Sequence, residues 1–137
     1  MSDPFRSGPI QAETLAREFF TAIDERDPRR LHATLSSFAS FRALPHLAPV
    51  RPADDIVAYF GAVVSSYPSA RWEVSDIIAT ADRAAVQFVV REFSPSLGRD
   101  LISEQLAVFR VADGKIVSIV GYYDATEFRR VFWEQHG

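Results

Sequence analysis

Residues 106–128, LAVFRVADGKIVSIVGYYDATEF, decide the fold. Asp113-Gly114 separates two apolar runs. An Asp-Gly pair supplies the positive φ angles that a two-residue primed turn requires, so the runs, read as Leu101 to Val111 and Lys115 to Tyr123, pair as antiparallel strands. Tyr122-Tyr123-Asp124 ends the second strand, and Phe128, Val131 and Phe132 then recur at helical spacing. Asp124 stands where a helix N-terminus needs a side-chain acceptor, which explains this acid better than catalysis does.

Upstream of the hairpin the strand period extends back to Ala70. Trp72, Val74 and Ile78 mark one strand and Ala84 to Phe93, AAVQFVVREF, a longer one. The longer run is apolar on both faces, so both must be covered. One face packs on helices, and the other is expected to meet a second copy in a homodimer through the outer sheet. Before Ala70 the period is helical. Leu15, Phe19, Phe20 and Ile23 form the apolar stripe of a first helix from Ala12 to Arg26. Asp27-Pro28 starts a second, with Leu31 and Leu35 on its apolar face. Phe38 to Ala43 reads as a short strand entering the Pro-rich loop Leu44 to Pro52. Asp54 and Asp55 then open a third helix, with Ile56, Tyr59, Phe60 and Val63 as its stripe. Helices followed by strands make an α+β domain: three N-terminal helices packed in a curved antiparallel sheet, with a short C-terminal helix.

Composition narrows the function. A length of 137 residues suits one domain, with residues 1–10 as a flexible N-terminal tail. The net charge of −3 is not that of a nucleic-acid surface. No apolar run approaches the roughly 18 residues needed to cross a bilayer, and MSDPFRSGPI lacks the order of a signal peptide. With no cysteine, disulfides and thiolate metal sites are absent. His32, His46 and His136 are scattered at no ligand spacing, so no metal and no cofactor is expected. A cytoplasmic protein is the simplest reading.

The segments EFFTAIDERDPRRL (18–31), the strand-to-loop passage Phe41 to Pro45, and VFRVADGKI followed by YYDATEF occur in an order that resembles the nuclear-transport-factor-2-like superfamily. That superfamily includes ketosteroid isomerases, limonene-epoxide hydrolases and polyketide cyclases of the nogalonic-acid type. The resemblance covers Leu15 to Phe132 and implies a cone-shaped α+β barrel with a pocket between helices and sheet.

Fold does not fix function. The isomerases of this superfamily use a tyrosine, a protonated aspartate and a proton-moving aspartate; the matching positions here are Phe19, Ala107 and Ala43. The epoxide hydrolases hold water with a tyrosine and an asparagine and activate it with an Asp-Arg-Asp set. Those places are Phe41 and Ala43, then Phe88, Val90 and Gly121. The aldol-type cyclases use an acid and a histidine, here Gly121 and Ala107. None of these residues moves a proton.

The same positions, with Trp72, therefore read as substrate-binding wall: Phe19, Phe41, Ala43, Trp72, Phe88, Val90, Ala107 and Gly121. Ordinary core packing is the competing reading for the aromatics, and a cavity distinguishes the two. Strand alternation puts Glu92, Ser103, Gln105 and Tyr123 on the same inner face. Gln105 and Tyr123 suit hydrogen bonding to a ligand carbonyl, or else satisfy neighbouring groups and the rim. Glu92 is either an acid-base group raised by burial or a solvated partner of Arg91 or Arg99. His46, in LPHLAPVRP near the expected entrance, is a proton shuttle or a solvated loop residue. These four are the catalytic candidates.

The first functional reading is a natural-product cyclase acting on a polyketide. Its apolar pocket would fold a large hydrophobic substrate for ring closure, including a pericyclic [4+2] addition that needs no strong acid or base. The second is a non-catalytic binding or dimerisation module. The third is an isomerase, dehydratase or hydrolase with a site rearranged around Glu92 and His46.

Overall fold

The computed structural model describes residues 11–133, so the expected N-terminal tail and His136 lie outside the described residues. In chain order the elements are α1 (Gln11–Asp24), α2 (Pro28–Thr34), β1 (Leu35–Arg42), α3 (Ala53–Ser66), β2 (Arg71–Ala79), β3 (Arg83–Ser94), β4 (Arg99–Ala112), β5 (Lys115–Tyr122) and α4 (Ala125–Phe128), continued by a π-helical turn, Arg129–Trp133. The five strands form one sheet in the order β1-β5-β4-β3-β2. Asp113 and Gly114 take φ angles of 52° and 75°, the left-handed pair that the primed turn between β4 and β5 demands.

β2 to β5 run antiparallel, with the expected Asp113-Gly114 hairpin joining β4 to β5. β1 instead joins β5 in parallel, which makes the sheet mixed rather than wholly antiparallel. A period-2 pattern tells which side chains share a face and carries nothing about strand direction. β1 also begins earlier than expected. Leu35 takes extended angles (φ −101°, ψ 139°) and ends α2, so it opens the strand instead of lying on the helix. An irregularity in the β1–β5 ladder between Leu35 and Ser40 accompanies Phe38, which is 87% exposed.

A bulge corrects the reading of β2. Val74 pairs with Phe88 but Asp76 pairs with Gln87, so Ser75 is an extra residue and the alternation flips behind it. Trp72 and Val74 face inward, Ile77 takes over the inner face, and Ile78 is left 74% exposed.

The caps behave as the sequence indicates. Asp27 accepts from Arg30 N–H at 3.1 Å and Asp124 from Glu127 N–H at 2.9 Å, each satisfying a helix N-terminal donor. The C-terminal segment is a single turn of α-helix followed by the π-helical turn, rather than one continuous helix. Within it Phe128 and Phe132 stack with centroids 4.7 Å apart.

The helices pack on the inner face of the sheet. Phe19 of α1 meets Phe20, Phe60 and Phe109 edge to face, at 5.4, 5.4 and 5.3 Å. Aromatic pairs of this geometry add about 0.5–1.5 kcal/mol each beyond the area they bury. Two polar anchors fix α1 against the start of β2. Asp24 accepts from Arg71 Nε at 2.9 Å and Nη2 at 2.6 Å, and from Trp72 N–H at 2.9 Å. Burial alone would raise this carboxyl; the hydrogen bonds from Arg71 and Trp72 and the charges of Arg71 and Arg26 outweigh it and hold the pKa below its ordinary value. Arg26, at a left-handed φ of 55°, reaches in the same direction. Its guanidinium donates to the carbonyls of Asp24, Tyr67, Pro68 and Ala70 at 2.9, 3.1, 3.0 and 2.8 Å.

Candidate ligand pocket

Between α1, α3 and the inner face of the sheet lies a cavity of about 430 Å³, within the range of small-molecule sites. Strand alternation builds its wall. Phe88 and Val90 of β3, Gln105 and Ala107 of β4, and Ile119 and Gly121 of β5 sit at every second position and line it together. Phe19, Phe20 and Ile23 come from α1, Tyr59, Phe60 and Val63 from α3. Phe41 lies 5.1 Å from the Tyr59 ring and 4.9 Å from Phe60, and Phe20 lies 4.5 Å from Phe88.

All eight residues read from the sequence as substrate-binding wall line this cavity, as do Gln105 and Tyr123. Gly121 has a steric reason to be glycine. A Cβ there would sit 2.4 Å from the carbonyl oxygen of Ala43, where the chain leaves β1 beside β5. The backbone of Ala43 fills the space that a side chain at 121 would need.

Glu92 and His46 are not on the wall. Glu92 is buried at the far end of β3, where it accepts from the Ser69 hydroxyl at 3.1 Å. The solvated edge expected for it is therefore wrong, because the segment after α3 folds over the strand end. Arg91, one of its two expected partners, donates instead to Glu73 and Asp100. His46 is exposed in a turn. Its loop folds back on itself: Phe41 and Val50 exchange backbone hydrogen bonds at 2.9 and 2.7 Å, and Arg42 Nη1 donates to Leu47 O at 2.6 Å. That closure holds the histidine away from the cavity.

The entrance lies elsewhere. The exposed lining residues are Ala62 and Ser66 of α3, Ala125 of α4, and Arg129 and Trp133 of the π-helical turn, so the mouth opens between α3 and the C-terminal segment. Tyr59, Tyr67 and Arg129 are wall residues that sequence reasoning did not single out as functional. Tyr59 was visible as a polar-tipped member of the α3 stripe beside Phe60. Tyr67 and Arg129 gave no local signal, because they come to one wall only when the C-terminal segment packs against the end of α3.

The wall holds neutral donors. Burial, with the phenols of Tyr123 and Tyr67 adding to it, raises the Tyr59 hydroxyl above its ordinary pKa; burial and then Tyr67 do the same for Tyr123. An unperturbed phenol titrates near 10, so both stay protonated at neutral pH and act as donors, not bases. Gln105 Nε2 donates to Ser103 Oγ at 3.1 Å, which orients the carboxamide on the wall. No Asp, Glu or His is among the described residues that line the cavity. No group of three or more His, Cys, Asp or Glu side chains converges on a metal-sized site among the described residues.

A family model for the SnoaL-like domain matches residues 16–119. No curated protein matches the chain in sequence. Among solved structures, an IdmH loop truncation variant superposes with a TM-score of 0.76 at 21% identity, covering 92% of this chain and 99% of the other. A candidate polyketide cyclase from Xanthomonas campestris pv. campestris gives 0.70 at 20% identity, covering 88% and 96%. A Mycobacterium tuberculosis protein in complex with estradiol-17β-hemisuccinate gives 0.72 at 12% identity, covering 87% and 98%. At these identities the likeness is one of fold.

Proposed function

The chain belongs to the SnoaL-like domain family, and from that premise we propose that it is a natural-product cyclase acting on a polyketide-type substrate. The observation that carries the reading is a cavity of about 430 Å³ walled by aromatics, with phenol and carboxamide donors and no carboxylate or imidazole among its described lining residues. With no carboxylate or imidazole among those residues, the wall offers no group of the kind that usually carries a proton-transfer cycle at neutral pH. It is suited to hold a long unsaturated chain in one reactive shape while Tyr59, Tyr123 or Gln105 polarises a carbonyl through a neutral hydrogen bond. Full orientation of two separate reactants is worth about 7–11 kcal/mol in the best cases, and a tethered substrate gains less. A [4+2] closure fits these means because no strong acid or base takes part. The steroid ester held by a neighbour of the same fold supports a large, mostly apolar ligand for this pocket as well.

The test is a crystal structure soaked with a linear polyene ketone. Ligand density along Phe41, Phe88 and Gly121 is the expected result, and a closed core without density would sink the proposal. A binding module without turnover predicts the same density, and product formation from a polyene substrate separates the two. The rearranged acid-base reading loses its support, since Glu92 and His46 lie off the wall.

The reading includes a homodimer through the outer sheet face. Ala85, Val108 and Val120 form one cross-strand row there, and Leu106 and Tyr122 extend the next. Ile78, Ile102 and Tyr122 are 74%, 42% and 45% exposed, a surface that a partner would cover. Sedimentation velocity should give a dimer, and Val108→Glu should shift it to monomer. A monomeric wild-type protein at micromolar concentration would remove this part of the proposal.

A further inference from the structure

Among the described residues that line the cavity, one carries a formal charge, and it is a cation at the mouth: Arg129. Its guanidinium carbon lies 5.2 Å from the centroid of the Trp133 ring. Trp133 in turn donates from Nε1 to the Tyr67 hydroxyl at 2.7 Å. Arg129 is thereby held at the edge of the opening by a ring tied across to the end of α3. Its neighbour Arg130 is engaged by Glu127, at 3.1 Å from Nε and 2.6 Å from Nη2. Among the described residues Arg129 has no carboxylate partner of this kind.

An exposed arginine on a short helix is often only solvated. Two features set this one apart. The described wall beneath it contains apolar surface and neutral donors with no carboxylate, so Arg129 is the one formal charge lining the cavity. The guanidinium also lies over the Trp133 ring, and its planar fork matches a carboxylate in a way that an ammonium does not.

We propose that the ligand of this pocket carries a carboxylate, seated at the mouth against Arg129, with its apolar body in the cavity below. This rests on the reading of the cavity as a site for a large apolar molecule, and deepens it by naming the polar end of that molecule. Arg129 acts here as a specificity-determining residue, selecting which end of the ligand faces out.

The probe is cis-parinaric acid, a conjugated polyene carboxylate whose fluorescence rises in an apolar site, compared with its methyl ester in low salt at about pH 8. The acid is expected to bind about five- to tenfold more tightly than the ester, a hydrogen-bonded charge pair at a partly solvated site. The preference should shrink as salt is added. It should vanish in Arg129→Gln and persist in Arg130→Gln, while the ester binds wild type and both variants alike, showing an intact pocket. Equal binding of acid and ester to wild type, or a preference that survives Arg129→Gln, overturns the proposal and leaves the cavity reading standing. Binding of neither ligand overturns both.

Discussion

Gly121→Ala should lower the melting temperature by about 10 °C, from a loss of about 2–3 kcal/mol, the upper part of the range for forcing a methyl into a packed core. The added Cβ would lie 2.4 Å from Ala43 O and 3.2 Å from Ala43 C. Both atoms are backbone, so no rotamer change relieves the contact. The chain must either shift where β1 leaves the sheet or break the Arg42–Val120 register beside it. Gly61 gives the matched control, since a Cβ there meets nothing within 4 Å. Gly61→Ala, in the middle of α3, should stabilise by up to about 1 kcal/mol because alanine restricts the unfolded chain and favours helix. Opposite signs for the same chemical change, read by thermal unfolding, are the expected outcome. A neutral Gly121→Ala would mean that the loop from Ala43 yields freely, and that glycine at 121 reflects something other than this contact.

Arg26→Ala should cost about 3 kcal/mol, since hydrogen bonds to a charged group contribute about 1.5–3 kcal/mol each and only some of these are sheltered. Three carbonyls, of Tyr67, Pro68 and Ala70, converge on its Nη2, and the guanidinium lies 5.5 Å from the Trp72 ring centroid. Removing it releases the passage from α3 into β2, which places two wall residues, Tyr67 and Trp72. Arg26→Gly should recover about 1 kcal/mol of the loss, because the position has a left-handed φ that glycine adopts without a Cβ penalty. Urea unfolding midpoints for the two variants check the ordering. If alanine and glycine are equally stable and both lie close to wild type, the carbonyl cluster contributes nothing that water does not replace.

These two residues also mark where sequence reading stopped. Gly121 was read from the sequence as an emptied functional position on the wall. It does line the cavity, but the reason a side chain is missing is the carbonyl of Ala43, a neighbour that exists only because β1 pairs with β5 in parallel. Arg26 was read from the sequence only as the last residue of the first helix. The three carbonyls that converge on its Nη2 lie more than 40 positions away in sequence, and no local pattern announces them.

Local chemistry alone determined a good deal. The Asp113-Gly114 turn, the caps at Asp27 and Asp124, and the period-2 runs of β3 and β4 depend on residues close in the chain, so their physics is complete within a few positions. The family resemblance named Phe88, Val90 and Ala107 as wall, and alternation from them put Gln105 on the same inner face, where all four line the cavity. Alternation fails as soon as one residue is inserted, and the bulge at Ser75 moved Ile78 to the outside. Strand direction, the fold-back of the 44–52 loop that carries His46 away from the cavity, and the burial of Glu92 under Ser69 all depend on contacts between distant segments. The mouth of the pocket is the clearest case. It is made by Ser66 from one half of the chain and Arg129 and Trp133 from the other. Only packing, which joins segments by shape and not by sequence separation, could bring that cation to the rim of an otherwise uncharged wall.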